Sequence, residues 1–95
     1  MKIHYTPESI EDLARLRNFI ADKNPPAAQR MATELLSSIK KLKVFPKMGV
    51  GVTSSPNPEA IRDLFIGQYT VRYLLATDMT YILRMWHDKE SERDL

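Results

Sequence analysis

Apolar residues recur every three to four positions in the first half of this chain and every second position from Ile61 onward. The first spacing belongs to helices that bury one face, the second to half-buried strands. Ile10, Leu13, Leu16 or Arg17, and Ile20 fall at helical spacing, and the helix should fade by Lys23. Thr6-Pro7-Glu8 stands just ahead of it. Thr6 can accept from a free amide, Pro7 suits the first helical position, and Glu8 complements the positive helix end. Asn24-Pro25-Pro26 then punctuates the chain, because a proline drives its preceding residue out of the α region. Ala28, Met31, Ala32, Leu35, Ile39 and Leu42 make a second stripe. The joint is short, so the two helices should form an antiparallel hairpin. Lys2–Tyr5, ahead of both, reads as a short strand.

Residues 45–60 hold three of the six prolines and two of the three glycines, which predicts an irregular loop with a short strand near 51–54. Beyond it, IRDLFI and YTVRYLLA flank Gly67-Gln68, a two-residue hairpin turn. That turn pairs Ile66 with Tyr69, Leu64 with Val71 and Asp63 with Arg72. A three-residue turn at Thr77-Asp78-Met79 would pair Ala76 with Thr80, Tyr73 with Leu83 and Arg72 with Arg84. Leu64, Ile66, Tyr69, Val71, Tyr73, Leu75, Tyr81, Leu83 and Met85 then share an apolar face turned to the helices. The opposite face mixes Asp63, Phe65, Arg72, Ile82, Arg84 and Trp86. The expected fold is α+β, in the order β-α-α-β-β-β: an antiparallel sheet with a two-helix hairpin packed on one face. The length allows one domain over 1–95.

Charge changes this picture at one place. Asp63, Arg72 and Arg84 would lie in a row across three strands, and one carboxylate cannot fully serve two guanidiniums. A face with surplus positive charge beside an exposed Trp86 predicts a partner, either a phosphate or an acidic and apolar peptide. His87 closes the last strand and falls, by alternation, on the helix side. Arg62 opens a strand and is a candidate contact residue, as is Lys89. Lys40, Lys41, Lys43 and Lys47 cluster mid-chain, as a solvated face or a nucleic-acid footprint. The overall charge of +2 is only weakly basic. With no cysteine and two histidines, disulfides and thiol chemistry are excluded, and neither a metal site nor a cofactor is expected. The N-terminal residues lack an apolar leader core, and no apolar run approaches the ~18 residues of a membrane span. A cytoplasmic protein is expected.

Four stretches, in this order, carry a resemblance: YTPESIEDLARLRNFIADKNPPAAQRM, LKVFPKMG, IRDLFIGQYTVRYLL and YILRMWHDKE. The sequence resembles the RelE/ParE toxin superfamily of bacterial toxin–antitoxin modules, and within it the ParE-like plasmid stabilisation branch. The resemblance covers essentially the whole chain. It implies the same β-α-α-β-β-β fold and an antitoxin partner whose C-terminal segment is disordered when free and folds onto the toxin. It also implies one of two activities. ParE-like members poison DNA gyrase, stabilise cleaved DNA and are not enzymes. RelE-like members cut mRNA on the ribosome without a metal, by attack of a ribose 2′-hydroxyl on the next phosphate. That chemistry needs a base, an acid and cations for the developing charge. The nuclease branch commonly carries arginine right after the tyrosine-like strand start, where this chain has Thr70 after Tyr69. Arg72 lies two residues on, ~6.5–7 Å along the strand. The nuclease reading assigns catalysis to Arg72, Arg84 and His87, whose imidazole would serve as acid or base. The ParE-like reading, which Thr70 favours, assigns partner binding to Arg62, Arg72, Arg84, Trp86 and Lys89.

Overall fold

The structure, a computed structural model, describes residues 1–90. Its elements are β1 (Lys2–Tyr5), α1 (Pro7–Ala21), α2 (Pro25–Lys40) with a 3-10 turn (Lys41–Lys43), β2 (Val50–Gly51), β3 (Ile61–Ile66), β4 (Tyr69–Leu75) and β5 (Met79–His87). Both helix starts follow from local chemistry. Thr6, in extended backbone, accepts from the Ser9 N–H at 3.1 Å, and Asn24 accepts from the Ala27 N–H at 3.2 Å. Each cap satisfies one of the amides that a helix leaves open at its first turn. No helix among the described residues is long and apolar enough to cross a membrane.

The five strands lie in the order β1-β5-β4-β3-β2. The sheet is mixed, which corrects the expectation of a wholly antiparallel one: β1 runs parallel to β5, Lys2 opposite Met79 and Tyr5 opposite Ile82. A four-residue strand alternates in the same way whichever direction its neighbour runs, so its pattern carried no sign of this. The short strand in the long loop forms at Val50–Gly51, ahead of the expected 51–54, and pairs with Asp63 and Arg62.

The hairpin β3–β4 has the expected register, with Gly67 at φ 57° in its turn. A positive φ at that position suits a primed turn, whose twist matches the strands. The β4–β5 hairpin departs from expectation. Its turn is tighter, with the Ala76 N–H donating to the Met79 carbonyl at 2.9 Å and Leu75 opposite Thr80. A bulge then intervenes: Tyr73 faces Ile82, while Arg72 faces Arg84, so Leu83 is the extra residue. The displaced carbonyls do not go unpaired. The Thr6 hydroxyl lies within reach of the Ile82 oxygen (2.9 Å) and the Leu83 oxygen (3.1 Å), and the Thr6 N–H donates to Ile82. The bulge inverts the parity of half of β5. Ile82 is fully buried in the core, whereas Tyr81, Leu83 and Leu75, all expected there, are only half-buried.

Leu16, Met31, Leu35, Ile39 and Leu42 from the helical layer meet Leu64, Ile66, Val71, Tyr73, Ile82 and Met85 from the sheet. Tyr73 brings a polar atom into this core and satisfies it there: its hydroxyl donates to the Pro46 carbonyl at 2.7 Å and accepts from the Gly49 N–H at 2.9 Å.

Candidate functional site

The arginines that the sequence marks as candidates are each held by a different part of the fold. Arg72, 6% exposed, grips Asp63 with two parallel bonds, Nε to Oδ1 at 2.8 Å and Nη2 to Oδ2 at 3.0 Å. Its guanidinium also lies 5.1 Å from the centroid of Trp86, a cation–π contact. Trp86 is therefore buried, at 6% exposure, and not the exposed residue its strand position implied. Arg62 donates to three carbonyls of the long loop, those of Gly49 and Glu59 at 3.0 Å and Lys47 at 3.4 Å. It fastens that loop to β3.

Arg84 has a carboxylate of its own, contrary to the expected row in which it shared Asp63. Asp12 of α1 binds it twice, Nε to Oδ2 at 2.8 Å and Nη2 to Oδ1 at 3.1 Å. Arg72 is thus drawn toward β3 and Arg84 toward α1. The surplus positive charge expected on that face is compensated from a helix. Sequence reasoning passed over Asp12, which lies beside the expected apolar stripe. Only the fold shows it buried with Ser9 and Leu16, where an acid demands a partner, while Ile10 of that stripe is exposed.

The same carboxylate completes the sheet. β1 covers β5 only as far as Ile82, so among the described residues no strand pairs with the outer edge of residues 83–87. Asp12 accepts from the Met85 N–H at 2.9 Å, and Arg15 donates to the Met85 carbonyl at 3.3 Å. Arg15 binds Asp12 at 2.6 Å and both oxygens of Glu90, and Glu90 accepts from the His87 N–H at 2.9 Å. Side chains of α1 and Glu90 thus stand in for a sixth strand and close the edge. Burial alone would raise the Asp12 carboxyl pKa. The bonds from Arg84, the Met85 N–H and Arg15 outweigh it and hold that pKa below the usual carboxylate value.

The sign of the pH effect follows. A carboxyl whose pKa is depressed by folding stabilises the protein above its unfolded pKa, near 3.9. That contribution is lost as pH falls through the lower, folded value. Denaturant midpoints should hold level down to about pH 5 and fall below about pH 4. An Asp12→Asn protein should lose less on acidification; an equally steep fall would show that Asp12 is not the acid-sensitive group.

His87 and Lys89 meet elsewhere, in a cleft of about 520 Å³ between α1 and the ends of β4 and β5, with Leu16, Phe19 and Tyr69 among its walls. The His87 ring stands edge-on to Tyr69, centroids 5.0 Å apart. Its Nδ1 accepts from the Lys89 N–H at 3.0 Å, so the neutral ring carries its proton on Nε2, 3.2 Å from the Gln68 amide oxygen. Burial raises the Tyr69 phenol above its ordinary pKa, and Glu34 and Glu90 add to this. Phe19 projects over the cleft with 75% of its surface exposed. The cleft offers an apolar wall, an imidazole and an ammonium. Phe19, Tyr69 and Glu90 were not singled out from the sequence, since only the fold brings them beside His87.

Three comparisons place this geometry. The chain matches the family described as ParE toxin of type II toxin-antitoxin system, parDE, over residues 3–92. Toxin RelE2 of Caulobacter vibrioides is 30% identical over 87 residues, covering 90% of this chain and 93% of that one. A solved structure, of the chromosomal ParDE TA system from P. aeruginosa, shares the fold with a TM-score of 0.77 at 18% identity, covering 92% of this chain and 95% of that one. With its two-helix hairpin on a five-stranded sheet, the chain belongs to the ParE toxin family of type II toxin–antitoxin systems.

Proposed function

We propose that this toxin arrests growth by binding DNA gyrase and stabilising its cleaved DNA, and that an antitoxin silences it by covering the same molecule. The observation that carries this reading is the state of the arginines. Arg72 is locked to Asp63 over the Trp86 ring, and Arg84 to Asp12. A ribonuclease would need those guanidiniums to meet a phosphate, at the cost of stripping the buried Asp12 and the half-buried Asp63 of their partners. In a binding toxin they serve as the frame. Arg62, Arg72, Arg84 and Trp86 then hold the contact surface in shape, while Lys89, exposed at the mouth of the cleft, reaches the partner. The cleft suits an apolar side chain followed by an acidic one.

The second reading is a ribosome-dependent mRNA endoribonuclease. Its support is the name of the Caulobacter relative and the presence of His87, a proton-transfer group, between Tyr69 and Lys89.

One assay separates them. Toxin, gyrase, ATP and supercoiled plasmid are incubated and worked up under denaturing conditions. Linear DNA should accumulate, and disappear when antitoxin is added. Absence of linear DNA at toxin levels that still arrest growth sinks the gyrase reading. The nuclease reading then predicts ribosome-dependent mRNA cleavage that His87→Gln slows about 10²–10⁴-fold.

A further inference from the structure

The arginines at 15, 62, 72 and 84 are engaged within the fold, but four lysines are not. Between Glu34 and Glu59 the sequence carries Lys40, Lys41, Lys43 and Lys47 and neither Asp nor Glu. This stretch is +4 in a protein of net +2, which leaves −2 for everything else. All four lysines are exposed, and none forms an ion pair among the described residues. Lys40, Lys41 and Lys43 sit where α2 ends in its 3-10 turn, and Lys47 stands one loop further on. Lysines at a helix C-terminus complement its dipole, but that effect fades within the last turn and does not account for Lys47.

Apolar side chains interleave with these charges. Val44 is 71% exposed, Phe45 62% and Met48 41%. They are not on a slack loop. The Phe45 N–H donates to the Lys41 carbonyl at 2.9 Å, and the Met48 N–H to the Phe45 carbonyl at 3.1 Å. From beneath, the Tyr73 hydroxyl holds Pro46 and Gly49, and Arg62 holds Lys47 and Gly49. Two side chains of the sheet therefore fix the backbone that displays Phe45 between Lys43 and Lys47. Met48 continues the surface into a groove lined by Lys41, Val50 and the exposed Phe65. Of the two carboxylates along that groove, Asp63 is already neutralised by Arg72.

We infer that the 40–48 turn is a binding surface for single-stranded nucleic acid, in which the lysines take phosphates and Phe45 stacks on a base. Ammonium groups meet phosphates as point charges without demanding fixed geometry, and any base offers a face to an aromatic ring. An acidic peptide would satisfy the lysines as well, but the hollow of about 520 Å³ that Val44, Phe45, Pro46, Lys47 and Met48 line is wide open and does not enclose a side chain, whereas a base needs only the face of the Phe45 ring. The inference goes beyond the choice of gyrase or ribosome and needs neither to be tested.

The test is fluorescence anisotropy of the purified protein with an end-labelled 12-nucleotide strand, as DNA, as RNA and as duplex DNA. Single strands of both kinds should bind within a few-fold of each other and more tightly than the duplex. If four phosphates are engaged, affinity should fall about 50-fold between 50 and 200 mM salt. Lys40→Gln, Lys41→Gln, Lys43→Gln and Lys47→Gln together should abolish binding. Phe45→Ala should weaken binding about tenfold and leave the salt slope in place. All five side chains are exposed, so the variants should lose only the small dipole contribution and melt within a few degrees of the parent, which certifies their fold. Tighter binding to duplex, equal competition by polyglutamate, or unchanged binding by the four-Gln protein would each overturn the inference.

Discussion

Replacing Asp12 by Asn should cost about 3 kcal/mol and lower the thermal midpoint by about 12–24 °C. Asn fills the same space, so the loss isolates charge. The carboxylate side chain is 2% exposed and answers Arg84, Arg15 and the Met85 N–H together. Asn has one acceptor oxygen, and its NH2 group would face a guanidinium. Breaking a buried pair from one side costs about 3–5 kcal/mol, because the remaining charge is stranded. The lower figure applies here, since Arg84 and Arg15 keep 23% and 36% of their side-chain surface in water and can rehydrate. Removing Arg84 should cost less, because Asp12 would retain Arg15 and the amide. Urea unfolding of both variants checks this; a loss below about 1 kcal/mol for Asp12→Asn would mean that the pair is no more than a surface salt bridge.

Gly49→Ala should cost about 2–3 kcal/mol. A Cβ there would lie 2.7 Å from both Cε1 and the hydroxyl of Tyr73, and 2.8 Å from the Asp63 carbonyl. Neither neighbour can give way: Tyr73 is fully buried and the carbonyl belongs to the sheet. The loop must move instead, and in moving it gives up the bonds that Tyr73 and Arg62 make to Gly49. Gly51→Ala provides the contrast. Its added Cβ would meet the Pro58 carbonyl at 2.6 Å, but that carbonyl sits in the irregular loop and can shift. If the two alanines cost the same, the wedge at Tyr73 is not what holds position 49 to glycine.

How much could be read in advance depended on how local each signal was. Thr6 and Asn24 cap their helices through residues three positions on, so both starts were visible in the sequence. The β3–β4 register followed from its two-residue turn. On β5 two errors cancelled. The turn is one residue shorter than expected and the bulge adds one back, so Arg72 still faces Arg84 while Tyr73 meets Ile82. Alternation alone cannot separate a long turn from a short turn with a bulge. The site suffered more than the fold. Asp12 and Arg84 are joined only in three dimensions, and the burial of Trp86 under Arg72 depends on Asp63 orienting that guanidinium.

The parallel pairing of β1 with β5 bears on the order in which the protein can be made. Lys2 finds its partner only when Met79 has been synthesised, and Tyr5 only with Ile82. At about 5–20 residues per second, β1 waits several seconds on a nascent chain whose helices can already form. Pairing over so great a separation is slow to nucleate. The outer edge of the sheet, and with it the Thr6 bonds that anchor α1 to the bulge, is assembled last. A polypeptide released early, before Met79, would carry an unpaired strand and no β5. Interrupted translation therefore yields fragments that cannot complete the sheet and are open to proteolysis.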